Sequence, residues 1–329
     1  MFSIIIPSYG HEAFLEECLE SLLAQTYQEW EAWVIDDQSP DRSHEIAERF
    51  ASRDSRIKCL RNEKNLGAYS TQNVGLSLAS HDWAAILNSD DFWTPDKLEK
   101  QAALISAYPE AAFCYTMGRL EFTGSDQIAD STYHEDYPQE EVHDLLPYLL
   151  AENKVLASSL VFRRGALQFD SRMQTSGDWV AALTLARQGK ALFVKEPVTI
   201  WRQHQSNTSK SIARAIYEQI SIRQRVCDCE VEWGKGRHDQ LWRRKMDLCR
   251  IHLSGQYSVI GEAKLARRIL GQGPRGDDSV TAQTWRKRQI LTYLPRSLSS
   301  PRLAPAFDLQ DLPLPGSGAY DWRMVPQGL

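Results

Sequence analysis

The stretch 87–98, LNSDDFWTPDKL, ends an apolar run (WAAIL, 83–87) on two adjacent carboxylates, Asp90 and Asp91. Side by side at the mouth of a buried strand, such groups repel one another and call for a cationic neighbour. A second pair, Asp36-Asp37, closes another short apolar run, WEAWVI at 30–35. Carboxylates converging in a cleft suit a hard divalent ion bound through oxygen, with a phosphate completing its shell. A helix start is the competing explanation, because acidic residues favour the positive end of a helix dipole. Asp178, heading DWVAALTLARQ, stands where a helix N-cap is expected. His204, in WRQHQSNTS, reads on its own as a solvated loop imidazole. The six cysteines show no metal-type spacing, Cys227-Asp-Cys229 included, so they read as small core residues of a reducing compartment.

The elements that must position these groups follow from hydrophobic periodicity. Phe2–Pro7 (FSIIIP) is a continuous β-branched run, the pattern of a strand buried on both faces. Residues 13–25 place Phe14, Cys18, Leu19, Leu22 and Leu23 on one helical face. Strands at 30–35, 57–60 and 83–87 then alternate with helices at 41–53 and from Gly67 to Ala79. Thr94 as cap and Pro95 at the first helical position predict a further helix to about Ala107. This repetition predicts an α/β fold with a Rossmann-like, mostly parallel, doubly wound sheet. Functional loops of such sheets lie at the carboxyl ends of the strands. Pro7-Ser-Tyr9, Asp36-Asp37 and Asn88-Ser-Asp90-Asp91 therefore converge by topology. Residues 118–150 read as a polar excursion, 155–162 as a returning strand, and 178–188 as a helix closed by Gly189.

Composition sets the outer limits. The 329 residues are 42% apolar and 25% charged, as in ordinary globular proteins. The net charge of −5 gives no signal for nucleic acid. Charge is uneven, however: residues 211–329 hold 19 Lys and Arg against 12 Asp and Glu, and residues 1–210 hold 19 against 31. Three parts are expected: an α/β domain over 1–210, a helical region over 211–294, and a Pro-rich extended tail over 295–329. The basic helical stretches are open to three readings: charged outer faces of packed helices, peripheral attachment to an anionic membrane, or recognition of an anionic glycan. The N-terminus lacks a signal-peptide pattern, and no apolar run approaches the roughly 20 residues of a membrane helix. A cytoplasmic protein is expected, with the inner face of the membrane as its alternative station.

Beyond residue chemistry, the chain resembles the inverting family 2 glycosyltransferases, nucleotide-diphospho-sugar transferases of the GT-A fold. The resemblance is carried by SIIIPSYG (3–10), SLLAQTYQEWEAWVIDDQSPD (21–41), NLGAYSTQNVGLSLAS (65–80), AAILNSDDFWTPDKL (84–98), GDW (177–179) and WRQHQSNTS (201–209). It implies that Tyr9 packs on the nucleotide base beside Pro7, and that Asp37 accepts the N3–H of a uracil or thymine while Asp36 braces the loop. It makes Asp90 and Asp91 the family's DxD motif, with Asp91 on the metal and Asp90 on the ribose or the metal's water shell. Asp178 becomes the catalytic base, and His204 completes the metal or diphosphate site. A divalent cation (Mg²⁺ or Mn²⁺), a UDP-linked sugar donor, and a glycan or lipid-linked saccharide acceptor are implied as cofactor and partners.

Two positions depart from the family pattern. Asn88 stands where the motif has its first Asp; an amide oxygen still reaches a ribose hydroxyl but brings no charge. Thr71-Gln72-Asn73 replaces a common Ala-Arg-Asn, removing a cation near the nucleotide. These departures favour the alternative of a non-catalytic nucleotide-sugar-binding or scaffolding relative. A signalling receiver fits poorly at this length, and a nucleotidyltransferase would need a Gly-rich basic loop where Ser8-Tyr9-Gly10-His11 stands.

Overall fold

A computed structural model describes residues 1–122, 128–133, 138, 140–153, 155–204, 207, 212–237, 239–271, 273–274 and 279–291. The proposed tail, 295–329, lies outside the described residues. In chain order the first elements are β1 (Phe2–Ser8), α1 (Leu15–Leu23), β2 (Trp30–Asp36), α2 (Ser43–Arg53), β3 (Ile57–Arg61) and α3 (Ala68–Leu78). Then come β4 (Trp83–Ile86), β5 (Phe92–Trp93), α4 (Lys97–Ala107), β6 (Phe113–Phe122), β7 (Ile128–Tyr133) and β8 (Val142–His143). After α5 (Leu146–Leu149), a single 3-10 turn (Ala157–Ser159) leads to β9 (Val161–Arg163), α6 (Gly177–Gln188) and β10 (Ala191–Gln203). The remainder is α7 (Ile212–Asp228), α8 (Glu230–Trp233), α9 (Gln240–Val259), α10 (Ala263–Leu270) and α11 (Ser279–Leu291).

The chain divides into two compact units, one from Met1–Leu145 with Lys154–Lys210, the other from Leu146–Asn153 with the described residues after Ser211. In the first unit the sheet order is β3-β2-β1-β4-β9-β6-β10-β5, with β7 beside β6 and β8 beside β10. The block β3-β2-β1-β4 is wholly parallel, as the alternation of strands and helices predicts. Beyond it, β9 runs antiparallel to both β4 and β6, while β6 and β10 pair in parallel.

Every residue of β1 is buried, which explains its uninterrupted apolar run. Alternate side chains serve opposite faces. Ile4 and Ile6 join the core with Leu15, Leu19, Leu22, Phe50 and Leu98, on the side of α1, α2 and α4. Ile5 turns the other way, against α3. There Gly75 lies so close that a Cβ would stand 2.3 Å from the Ile5 side chain.

Two sequence expectations shift. Thr94 is not the cap of α4: its hydroxyl donates to Asp96 Oδ1 at 2.6 Å, and the helix begins at Lys97. Lys97 is fully buried, lies 3.6 Å from the centre of the Trp93 ring, and donates to Gln101 Oε1 at 2.7 Å. Burial lowers its ammonium to about 7. Residues 155–162 are a 3-10 turn and a short strand rather than one continuous strand.

The described secondary-structure elements of the second unit are all helices. Ile220, Leu253, Tyr257 and Ala266 form one apolar cluster, and Ile251, Leu270 and Trp285 another. Asp239 caps α9 by accepting from the Trp242 backbone N–H at 2.8 Å. Arg250 is buried between Glu230 and Asp247. Among the described residues, no helix is long and apolar enough to cross a membrane.

Candidate functional site

The parallel block determines where the polar groups meet. Ser8 and Asp36 are register partners at the carboxyl ends of β1 and β2, and Leu87 N bonds Ile5 O as β4 gives way to the loop. That edge is where the sequence set its three clusters.

Asp37 organises the nucleotide-facing side proposed from sequence. Its Oδ1 accepts from Asn62 Nδ2 and Leu66 N, and its Oδ2 from Gly67 N, each at 2.8 Å. One lone-pair direction on Oδ2 is left, since each carboxylate oxygen accepts two bonds. Gly67 has φ +85 at the start of α3, a backbone setting that disfavours any side chain there. Asp36 braces the same turn: its Oδ2 pairs with Arg61 Nε at 3.1 Å and accepts from Ser39 N at 3.3 Å. Pro7 is buried, whereas Tyr9 is 49% exposed at the end of β1. Among the described residues, three buried atoms at this edge have no protein hydrogen-bond partner: Ser8 Oγ, Asp36 Oδ1 and Gln72 Oε1. Orphaned acceptors at a strand edge are unusual in native folds and mark a place where a ligand or water completes the bonding.

The adjacent carboxylates face different ways. Asp91 is turned inward: Oδ2 accepts from Ser158 Oγ at 2.5 Å, and Oδ1 from the Arg202 backbone N–H at 3.1 Å. Burial, then the charge of Asp90, pushes its carboxyl well above the ordinary range, against the pull of Ser158 and Arg202. Asp90 instead meets His204, whose Nε2 is 3.1 Å from Asp90 Oδ2. Burial alone would raise Asp90; the His204 hydrogen bond and the nearby His11 outweigh it and hold the carboxyl below its usual value. The sequence reading put Asp91 on the ion and Asp90 on the ribose. Each Asp91 oxygen accepts one bond inside the protein and keeps one lone-pair direction, while Asp90 meets His204. Among the described residues, the cluster with atoms close enough to share a cation is His11, Asp90 and His204. Asn88 contributes its backbone, its N–H donating to Ser158 Oγ at 3.0 Å.

Asp178 is reached by a continuous chain of contacts. Asp37 fixes the Gly67 N–H at the head of α3, and two residues on, the Tyr69 hydroxyl accepts from Gly177 N at 2.8 Å and Asp178 N at 3.4 Å. Gly177 is needed here, as a Cβ would stand 2.6 Å from the Tyr69 ring. Asp178 is half-buried at the second position of α6, and its Oδ1 accepts from Trp179 N at 2.8 Å. Ser176 occupies the cap position without a side-chain capping bond, and Asp178 itself takes a first-turn backbone N–H.

Sequence reasoning missed His11, Ser89, Ser158, Arg202 and Tyr69. His11 had one visible signal, its place in the loop after β1. Ser158 lay inside a run read as strand. Arg202 is buried, bonded to Glu17 at 2.5 Å and flanked by the Phe14 and Phe92 rings. Nothing in its local sequence announces that.

A twisted sheet with a parallel nucleotide-type half, a mixed second half and an acidic cluster at the shared strand edge defines the GT-A fold. The crystal structure of S. aureus TarS 1–349 with UDP-GlcNAc superposes with a TM-score of 0.64 over 91% of this chain and 90% of that one, at 15% identity. The mannosyltransferase PcManGT from Pyrobaculum calidifontis, in complex with GDP-Man and Mn²⁺, gives 0.58 over 90% and 81%, also at 15% identity. The family model for glycosyl transferase family 2 matches residues 3–144. Over 105 residues the chain is 42% identical to the Escherichia coli UDP-Glc:alpha-D-GlcNAc-diphosphoundecaprenol beta-1,3-glucosyltransferase WfgD, covering 32% of this chain and 41% of that protein. The chain spans between 33% and 48% of the length of the first three curated relatives it matches.

Proposed function

We propose that the chain is an inverting glycosyltransferase that moves a sugar from a UDP-linked donor to a hydroxyl of a glycan or lipid-linked saccharide. The observation that carries this reading is the hydrogen-bonded continuity from Asp37 through Gly67 and Tyr69 to Asp178, along the edge that also bears Asp90 and His204. Asp37, with Tyr9 and Pro7, would hold the base; Asn88 would face the ribose. Asp90 and His204 would hold a divalent cation, Mg²⁺ or Mn²⁺, which supplies Lewis-acid stabilisation of the leaving diphosphate. The donor set fits such an ion, with a carboxylate and an imidazole in contact and the diphosphate available as the remaining ligand. Asp91 is assigned a bracing role between Ser158 and Arg202.

Asp178 would take the proton of the acceptor hydroxyl as that oxygen bonds to the anomeric carbon and the bond to the diphosphate oxygen breaks. Attack from the face opposite the leaving group inverts the configuration. An ordinary Asp has a pKa of about 4, so it acts by position and grows more effective as the hydroxyl acidifies in the transition state. WfgD, by its name, uses UDP-Glc and a diphosphoundecaprenol-linked acceptor, which supports the donor and the acceptor class. In the second unit, exposed Arg243, Arg244, Lys264, Arg268, Arg286 and Lys287 support peripheral contact with anionic lipid. Stronger co-sedimentation with anionic than with neutral vesicles is expected; equal sedimentation would refute that contact.

The test is a panel of UDP-, TDP- and GDP-sugars with Mn²⁺ and saccharide acceptors, read by nucleotide release. Release from a UDP-sugar is expected, and Asp178→Asn should lower it by about 10²- to 10⁴-fold while donor binding persists. Nucleotide binding without turnover on any acceptor would favour the non-catalytic alternative. Unchanged turnover in Asp178→Asn would remove Asp178 from the role of base.

A further inference from the structure

We infer that buried Lys97 is a positioning residue: with Gln101 and Trp93 it holds the turn at Ala157–Ser159 and, through Ser158, the loop that carries Asp90. The inference rests on the transferase reading above and assigns that reading a residue outside the site itself.

Lys97 stands where local preference is against it. A cation at the first residue of α4 opposes the helix dipole, and full burial strips the ammonium of water. Among the described residues no carboxylate pairs with it. Nζ donates to Gln101 Oε1 at 2.7 Å and lies 3.6 Å from the centre of the Trp93 ring. An unbranched apolar residue would fill the same space without that desolvation. A residue that breaks several local rules at once points to a role other than stability.

Both partners of Lys97 reach the same turn. Gln101 Nε2 donates to Ser159 O at 3.1 Å, and Trp93 Nε1 donates to Ser158 O at 2.8 Å. An ammonium only donates and a carbonyl only accepts, so Lys97 on one side and Ser159 on the other force a single orientation on the Gln101 amide. The Ser158 hydroxyl in turn accepts from Asn88 N at 3.0 Å and donates to Asp91 Oδ2 at 2.5 Å. Asp91 N donates to Asn88 O at 3.0 Å, closing a turn over 88–91 with Asp90 inside it. One hydroxyl therefore grips both ends of the turn that presents Asp90 to His204. Lys97, Gln101, Trp93, Ser158 and Ser159 are all buried, so water does not replace a bond lost from this relay.

The test uses the full chain carrying Lys97→Met and, separately, Gln101→Glu, which keeps an acceptor for Lys97 but loses the donor to Ser159. Lys97→Met should melt no lower than wild type. In both variants, without nucleotide or metal, backbone hydrogen exchange should quicken about tenfold over 88–91 and 157–160 and stay at wild-type rates in β1 and β2. Sugar transfer at limiting Mn²⁺ should fall about tenfold in both and recover at saturating Mn²⁺, because Asp90 and His204 are still present but no longer held in place. A lower melting point in Lys97→Met, with a loss of transfer that excess Mn²⁺ does not restore, would make Lys97 a packing residue and overturn the inference. Unchanged exchange over 88–91 in both variants would also overturn it. Quickened local exchange in a protein that transfers no sugar would leave the positioning role standing and defeat the transferase reading instead.

Discussion

The two ends of the parallel sheet treat a buried carboxylate in opposite ways. At the amino end, Glu31 faces Ser3 across β1 and β2. Its Oε1 accepts from Ser3 Oγ at 2.8 Å, Ser80 N at 2.8 Å and Ser80 Oγ at 2.7 Å, while Oε2 accepts from Lys58 Nζ at 2.7 Å. Burial works to raise this carboxyl, but Lys58, Ser80 and Ser3 outweigh it and bring it to about 2. At the carboxyl end, Asp90 has His204 and a nearby His11, next to a second acid that burial keeps well above its usual range. One carboxylate is bonded by the donors the fold itself supplies and ties β1, β2, β3 and the loop after α3 together. The other is held among ligand-type side chains, His204 and His11. A carboxylate saturated by its own fold is structural, while one left short of partners at a strand edge is available for chemistry.

Three variants would break or sharpen that contrast. Asp90→Ala should have the largest effect, lowering sugar transfer about a thousandfold while thermal stability stays level or rises, because one of two adjacent buried acids is removed. A melting point several degrees lower would make Asp90 a structural residue after all. Glu31→Ala should do the reverse. Stability should fall by about 2–3 kcal/mol as Ser3, Ser80 and Lys58 lose their acceptor, with turnover per folded molecule unchanged. Denaturant melts and turnover measured on one preparation would separate the two outcomes.

The smallest effect is a pH dependence. Glu31 has a folded value of about 2 against 4.5 for the ordinary group, so its contribution is complete above about 4.5 and is lost as pH falls toward 2. The stability gap between wild type and Glu31→Gln should therefore narrow across that window. A gap that stays constant would show that Glu31 does not stabilise through its charge.

What the sequence disclosed depended on whether a signal was local. β1, β2 and β4 were legible because strands buried on both faces need continuous apolar runs, and the parallel order followed from their alternation with helices. β6 and β10 escaped. In β10 the exposed Lys195-Glu196 and Pro197 interrupt the pattern, and the register with β6 shifts there. The acidic pair was visible, but its division was not. Which carboxylate turns inward depends on Ser158 and the Arg202 backbone, 67 and 111 residues away along the chain. Tyr69 likewise gains its importance only when α3 meets α6. Site membership could be read from types and spacing; the partition of roles required the tertiary contacts.

The most direct measurement of the central claim, that this strand edge binds a nucleotide through a cation held at Asp90, is calorimetric titration of UDP with and without Mn²⁺. Wild type should bind UDP with Mn²⁺ at least about tenfold more tightly than without it, and Asp90→Ala should bind equally weakly in both. Equal UDP affinity in the presence and absence of Mn²⁺ in the wild type, or an undiminished Mn²⁺ effect in Asp90→Ala, would contradict the account.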